Sequence, residues 1–112
     1  MNRFMIAALA LATAAGTASA QQHWYMRSNQ GQPWGHTSNE EAMDMVFGPG
    51  NWTDSPFQNQ PASQVFDDES ECVFLEGGDF NANALNQYLQ ANLPLIEQWV
   101  AGGGRLFINS AP

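Results

Sequence analysis

The sequence predicts a small α/β protein: a mostly parallel four-stranded sheet with helices on its faces. Three observations carry this. Strand-like apolar runs alternate with helix-like segments, the pattern of helices covering a parallel sheet. One run, CVFLE at residues 72–76, holds four consecutive apolar residues without alternation, as a strand covered on both faces does. Leu85, Leu89, Leu93, Ile96 and Val100 recur at steps of four, four, three and four, the spacing of one helical stripe.

The chain opens with a segment outside the predicted domain. Asn2 and Arg3 give a weakly positive start, residues 4–15 are almost wholly apolar, and Ala18, Ser19 and Ala20 have the small-x-small form that signal peptidase cuts. The run is shorter than the ~20 apolar residues of a membrane span. Residues 1–20 are thus expected to be a secretory signal peptide and residues 21–112 a single α/β domain, secreted or periplasmic. Removing those 20 of 112 residues leaves 92, with Arg27 and Arg105 against eleven acids, a net charge of −9. So acidic a surface repels phosphate backbones and anionic lipid, which argues against nucleic-acid partners and against membrane attachment after cleavage. Cys72 is the sole cysteine, so no internal disulfide forms and a buried, inert thiol is expected.

The first strand is predicted at residues 23–28, HWYMRS, followed by a turn-rich loop containing Gly31, Pro33 and Gly35. Ser38 and Glu41 form a capping box. The helix they open runs through AMDMVF to Gly48 and Pro49, with Met43, Val46 and Phe47 facing the sheet. A short strand near Phe57 belongs at an edge, because Pro56 donates no ladder bond. PASQVF makes one helical turn, and DDESE, residues 67–71, a charged solvated loop. CVFLE is the third strand. Pro94 interrupts the long helical stripe and predicts a kink, or two helices meeting near Asn92. Gly102, Gly103 and Gly104 end it, and RLFIN, residues 105–109, is the last strand. Right-handed crossovers then give the flavodoxin-like order 2-1-3-4.

Three segments, PWGHTSNEEAMDMVFGPGNW, VFLEGGDFNANAL and LIEQWVAGGGRLFINSAP, together resemble a module of secreted, multi-domain bacterial proteins. Its fold is similar to the class I glutamine amidotransferase-like group, which includes ThuA-like proteins that act on sugars. The resemblance covers residues 24–112, and none of its segments is a catalytic signature. In that group further strands and helices follow the strand matching RLFIN. The resemblance therefore implies the amino-terminal part of such a domain, with a sheet that is incomplete. The alternative is a short relative whose open edge pairs with another copy. Other domains of a larger protein are equally expected partners, and an exposed last strand is an association hazard in every case.

Parallel sheets place ligands beyond the carboxyl ends of their strands. There the sequence puts Ser28 and Asn29, then Glu76, Gly77, Gly78 and Asp79, then Asn109 and Ser110. These are the candidate ligand-binding residues. The glycines let a ligand approach the backbone, and amides opening the next helix suit an anion, although Glu76 and Asp79 would repel one. The structural alternative is that the glycines permit a sharp turn while Asp79 or Asn81 caps the helix. Glu76 and Asp79 are also the only metal candidates, for calcium, but two carboxylates fall well short of the 6–8 oxygens calcium takes. No cofactor is otherwise implied.

No residue is predicted to be catalytic. No Gly-x-Ser-x-Gly elbow occurs, Cys72 starts its strand at the end away from the candidate rim, and His23 and His36 lack metal-ligand spacing. Of the four tryptophans, Trp99 is expected in the core, while Trp34 and Trp52 lie in loops where exposed rings could stack on sugars or could equally close the bottom or rim of the small core. Asn51-Trp52-Thr53 matches a glycosylation sequon. Three functional readings follow: a non-catalytic extracellular binding or structural module, an amino-terminal fragment of a sugar-processing or hydrolytic enzyme domain, and a truncated product without a role of its own.

Overall fold

A computed structural model describes residues 22–110. The expected signal peptide lies outside the described residues. The elements are β1 (Gln22–Arg27), α1 (Ser38–Phe47), β2 (Thr53–Pro56), α2 (Ala62–Val65), β3 (Ser70–Gly77), α3 (Ala82–Ala101) and β4 (Arg105–Ser110). The four strands form one all-parallel sheet in the order β2-β1-β3-β4. Fold class and strand order are those the alternation of elements predicts.

Helices α2 and α3 cover one face of the sheet. Met26, Val73 and Leu75 point into this layer, where they meet Val65, Leu85, Tyr88, Ile96 and Trp99. Helix α1 covers part of the other face, closing Met43, Phe47 and Trp52 over Tyr25 and Phe74. Strands β1 and β3 thus carry apolar residues on both sides, which is why their sequences show no clean alternation. Pro56 does sit on an edge strand, paired with Arg27, and the ladder continues as the Phe57 amide donates to the Arg27 carbonyl at 2.8 Å.

Several local expectations are corrected. Strand β1 ends at Arg27, so Ser28 lies just past it. Thr37, not Ser38, is the N-cap of α1; its carbonyl accepts from the Glu41 amide and its hydroxyl donates to the Glu41 carboxylate at 3.1 Å. No side chain of the described residues bonds the first helical amides, so the capping box does not form, and Thr37 and Glu41 are linked only side chain to side chain and through the first helical bond. Val46 is 71% exposed, and His23 stacks on Phe47 at 3.9 Å instead. Residues 67–71 are not merely a solvated loop. Asp67 Oδ1 accepts from the amides of Glu69 and Ser70 and so builds the turn into β3, which already includes Ser70 and Glu71.

Helix α3 runs unbroken through Pro94. Pro94 and Gln90 are both exposed, so the break in the helical ladder that the proline makes lies on the solvent side, where it costs least. Its buried side is Leu85, Tyr88, Ile96 and Trp99, while Leu93 and Val100 are nearly half exposed. The stripe is rotated because α3 packs toward β1 and β3. Nothing among the described residues stands beyond β4 to cover its outer flank. Strand β4 is accordingly bare: Phe107 is 59% and Ile108 41% exposed.

Candidate functional site

The carboxyl ends of β1, β3 and β4 meet in one rim, and Glu76 lies at its centre. Its side chain is fully buried. Asn109, its register partner on β4, donates from Nδ2 to both carboxylate oxygens at 3.1 and 2.9 Å, and the Gly78 amide donates to Oε1 at 3.2 Å. Ser28 is also fully buried. Its amide donates to Asn81 Oδ1 at 2.9 Å, and its hydroxyl oxygen lies within reach of the Gln30 amide and Gln58 Nε2. Asn29 is exposed and held through its amide by Gln58 Oε1 at 3.1 Å. Ser110 is exposed and borders a cavity of about 210 Å³ with Gly77, Leu85 and Leu89.

The rim therefore gathers the residues named from the sequence, but Glu76 and Asn109 commit their polar atoms to each other, and Ser28 commits its own to Asn81 and neighbouring loops. Their role is to fasten the strand ends. Asp79 and Asn81 do not cap α3: Asn81 Oδ1 binds Ser28, and Asp79 Oδ2 accepts from the Trp34 amide at 2.8 Å. Each carboxylate faces its own N–H donors, so Glu76 and Asp79 build no shared oxygen cage. Among the described residues no group of three or more His, Cys, Asp or Glu side chains is placed to hold a metal ion.

The glycines are required for space rather than for a special backbone angle. Neither Gly77 nor Gly78 has a positive φ. A β-carbon on Gly77 would run into the Leu85 side chain, and one on Gly78 would lie 2.5 Å from the Trp34 ring and 2.8 Å from Glu76 Oε1. Among the described residues the non-glycine residues with positive φ are Trp34 (φ 53°) and Asp79 (φ 54°), joined by the bond from the Trp34 amide to Asp79 Oδ2. Asp tolerates this region, but for a bulky aromatic it costs roughly 1–2 kcal/mol. Trp34 is nonetheless 60% exposed, its ring lying over Gly78. Phe80, 43% exposed, sits near Gly31 of the same loop. The sequence marks Trp34 as a loop tryptophan between Pro33 and Gly35. Its bond to Asp79, 45 residues away, carries no sequence signal. Trp52, the other loop tryptophan, is not free: it donates to Asp44 Oδ1 at 2.7 Å and packs on Tyr25.

A second polar cluster, which sequence reasoning missed, ties β1 to α1 and β2. Arg27 reaches Asp54 at 3.3 Å and Glu40 at 4.0 Å, and Asn39 donates to the Tyr25 hydroxyl at 3.0 Å. Burial pushes the Tyr25 phenol above its ordinary range. Burial also raises the Glu40 pKa, helped by the Asp54 charge and opposed by Arg27. A carboxyl raised on folding stabilises the protein most below its unfolded pKa, and the contribution is lost as pH rises through the folded value. Relative to wild type, Glu40→Gln is therefore expected to gain stability as pH rises through the carboxylate range. Urea unfolding of both proteins across that range checks it; a gap that stays constant with pH refutes the assignment.

Cys72 is half-buried beside Arg105, and burial raises its thiol pKa, which leaves it a poor nucleophile at neutral pH. No helix of the described residues is long and apolar enough to cross a membrane. Comparison with protein families, with curated proteins and with solved structures gives no match to this chain.

Proposed function

We propose that the protein is an exported, non-catalytic binding module whose ligand presents a flat apolar face, as a carbohydrate ring does. The observation that carries this is Trp34. A large aromatic side chain is held in solvent, in a costly backbone conformation, at the ligand-bearing edge of a parallel sheet. Ring stacking on such a platform needs no further polar chemistry to give affinity, and Phe80 offers a second exposed ring on the same rim. Around it, the Glu76–Asn109 pair and the separate Ser28–Asn81 bond fix the strand ends that support the platform. Asn29, Asp79 and Ser110 remain exposed at the edge to orient a hydroxylated ligand. Export rests on the leader-like residues 1–20.

Tryptophan fluorescence during titration with a panel of soluble oligosaccharides tests the reading. Binding is expected to shift the emission, and Trp34→Ala to weaken it about tenfold or more, the scale of one lost stacking contact. Calcium added alone is expected to change neither emission nor melting temperature. No response to any sugar, or binding unchanged in Trp34→Ala, removes the proposal.

A second reading, the amino-terminal part of a ThuA-like sugar-processing domain, is supported by the 2-1-3-4 order and by the bareness of β4. The coding sequence downstream of Pro112 decides it: a continuing frame that adds strands with a histidine or cysteine at a strand end favours the enzyme.

A further inference from the structure

We propose that a second copy of this chain docks along β4, the two strands pairing antiparallel about Phe107 to make one continuous eight-stranded sheet. Strand β4 is an edge strand, so the backbone groups on its outer side lack a partner within the sheet. Leu106 packs against the core, but one apolar residue is exposed on each face. Phe107 lies on the α1 side, edge-on to Phe74 at 4.9 Å, and the exposed Ile108 projects on the opposite, α3 side.

The charge pattern selects a like strand as the occupant. The molecule carries a net −8, yet β4 beyond Arg105 has no ionised side chain, so two copies meet there without like charges opposed. Asp67, Asp68 and Glu71 cluster near the amino end of β3, and antiparallel pairing sends the two clusters to opposite ends of the joined sheet. More specifically, Glu76 is a fully buried carboxylate that pairs with no cation among the described residues, an arrangement a protein interior tolerates poorly. Arg105, Phe107 and Asn109 alternate onto the face of Phe74 and Glu76. With Phe107 on the two-fold axis, Arg105 of the partner subunit stands opposite Asn109, the side chain that covers Glu76, so a cation is added near that buried carboxylate without touching it. Opposed residues lie about 5 Å apart and neighbouring strands about 4.8 Å, which puts the backbones of Glu76 and the partner's Arg105 roughly 10 Å from each other with β4 between them. Arg105 is free to turn that way: its side chain is 77% exposed, held only by Glu71 at 3.5 Å.

Sedimentation velocity of the purified chain over a concentration series is expected to show a monomer–dimer equilibrium. Phe107→Glu, with its circular dichroism spectrum unchanged, is expected to be monomeric throughout. Arg105→Ala is expected to raise the dimer Kd about tenfold. Glu71→Gln is expected to leave it unchanged, because the Arg105–Glu71 pair of the monomer is not what holds the dimer. A monomer at every concentration overturns the proposal, including one that binds a different polypeptide along β4. So does a dimer that survives Phe107→Glu. Equal weakening by Glu71→Gln and Arg105→Ala overturns the Arg105–Glu76 attraction.

Discussion

Trp99→Ala is expected to lower the unfolding free energy by about 3–5 kcal/mol, a larger loss than truncating any other core side chain should bring. Three contacts converge on this ring. It meets Phe66 edge-on at 5.2 Å, and its indole N–H donates to the Asp67 carbonyl at 3.1 Å. Its flat side lies against Gly104, where a β-carbon would fall inside the ring. Truncation leaves a cavity under the end of α3 and removes one of the two donors, the other being the Ser70 amide, from the Asp67 carbonyl in the turn that starts β3. A domain of this size has about 5–15 kcal/mol in all, so the variant is expected to sit close to unfolding at ordinary temperature. Urea denaturation followed by circular dichroism measures it, since the remaining tryptophans blur a fluorescence readout. A loss below about 1 kcal/mol would show that the ring is not packed as described.

Gly77→Ala is expected to cost about 1–3 kcal/mol through overpacking, not through backbone conformation. The site is buried at the end of a central strand, the added methyl meets Leu85, and Leu85 is itself held in the core by α3. The mechanism has a signature. In the double variant Gly77→Ala with Leu85→Ala, the methyl enters space that Leu85 vacates, so the combined loss should fall short of the sum of the two single losses. If the glycine served only to shape the turn, the losses would add. Gly78→Ala differs in kind: its closest neighbour is the exposed Trp34 ring, which has room to move, so the perturbation passes to the proposed ligand platform.

Much of the fold is legible in the sequence because its signals are local. The unbroken run in CVFLE, the glycine and proline stops at residues 48–49 and the glycines at 102–104 mark where strands and helices begin and end, and alternation supplies the parallel order. Legibility fails where a residue's environment depends on distant chain. Val46 and Val100 fit their helical stripes, yet the flanks they occupy have no neighbour, one because α1 is short against the sheet and the other because β4 is an edge. Strand ends alone place the candidate rim. They do not give its wiring, because Asp79 and Asn81 direct their oxygens to Trp34 and Ser28 from another loop instead of to the helix they precede. Spacing predicts what a side chain can reach nearby and says nothing of a better donor across the molecule.

The interior position of β1 has a consequence for how the molecule comes into being. The first strand made is flanked by β2 and β3, and its contact with β3 joins Trp24 to Val73. A nascent chain shorter than about seventy residues lacks half of the hydrogen bonds that define that strand, and closing so long a loop brings no reward until β3 arrives. The sheet's central pairing therefore waits on Ser70–Gly77, and β1 has only β2 beside it until then.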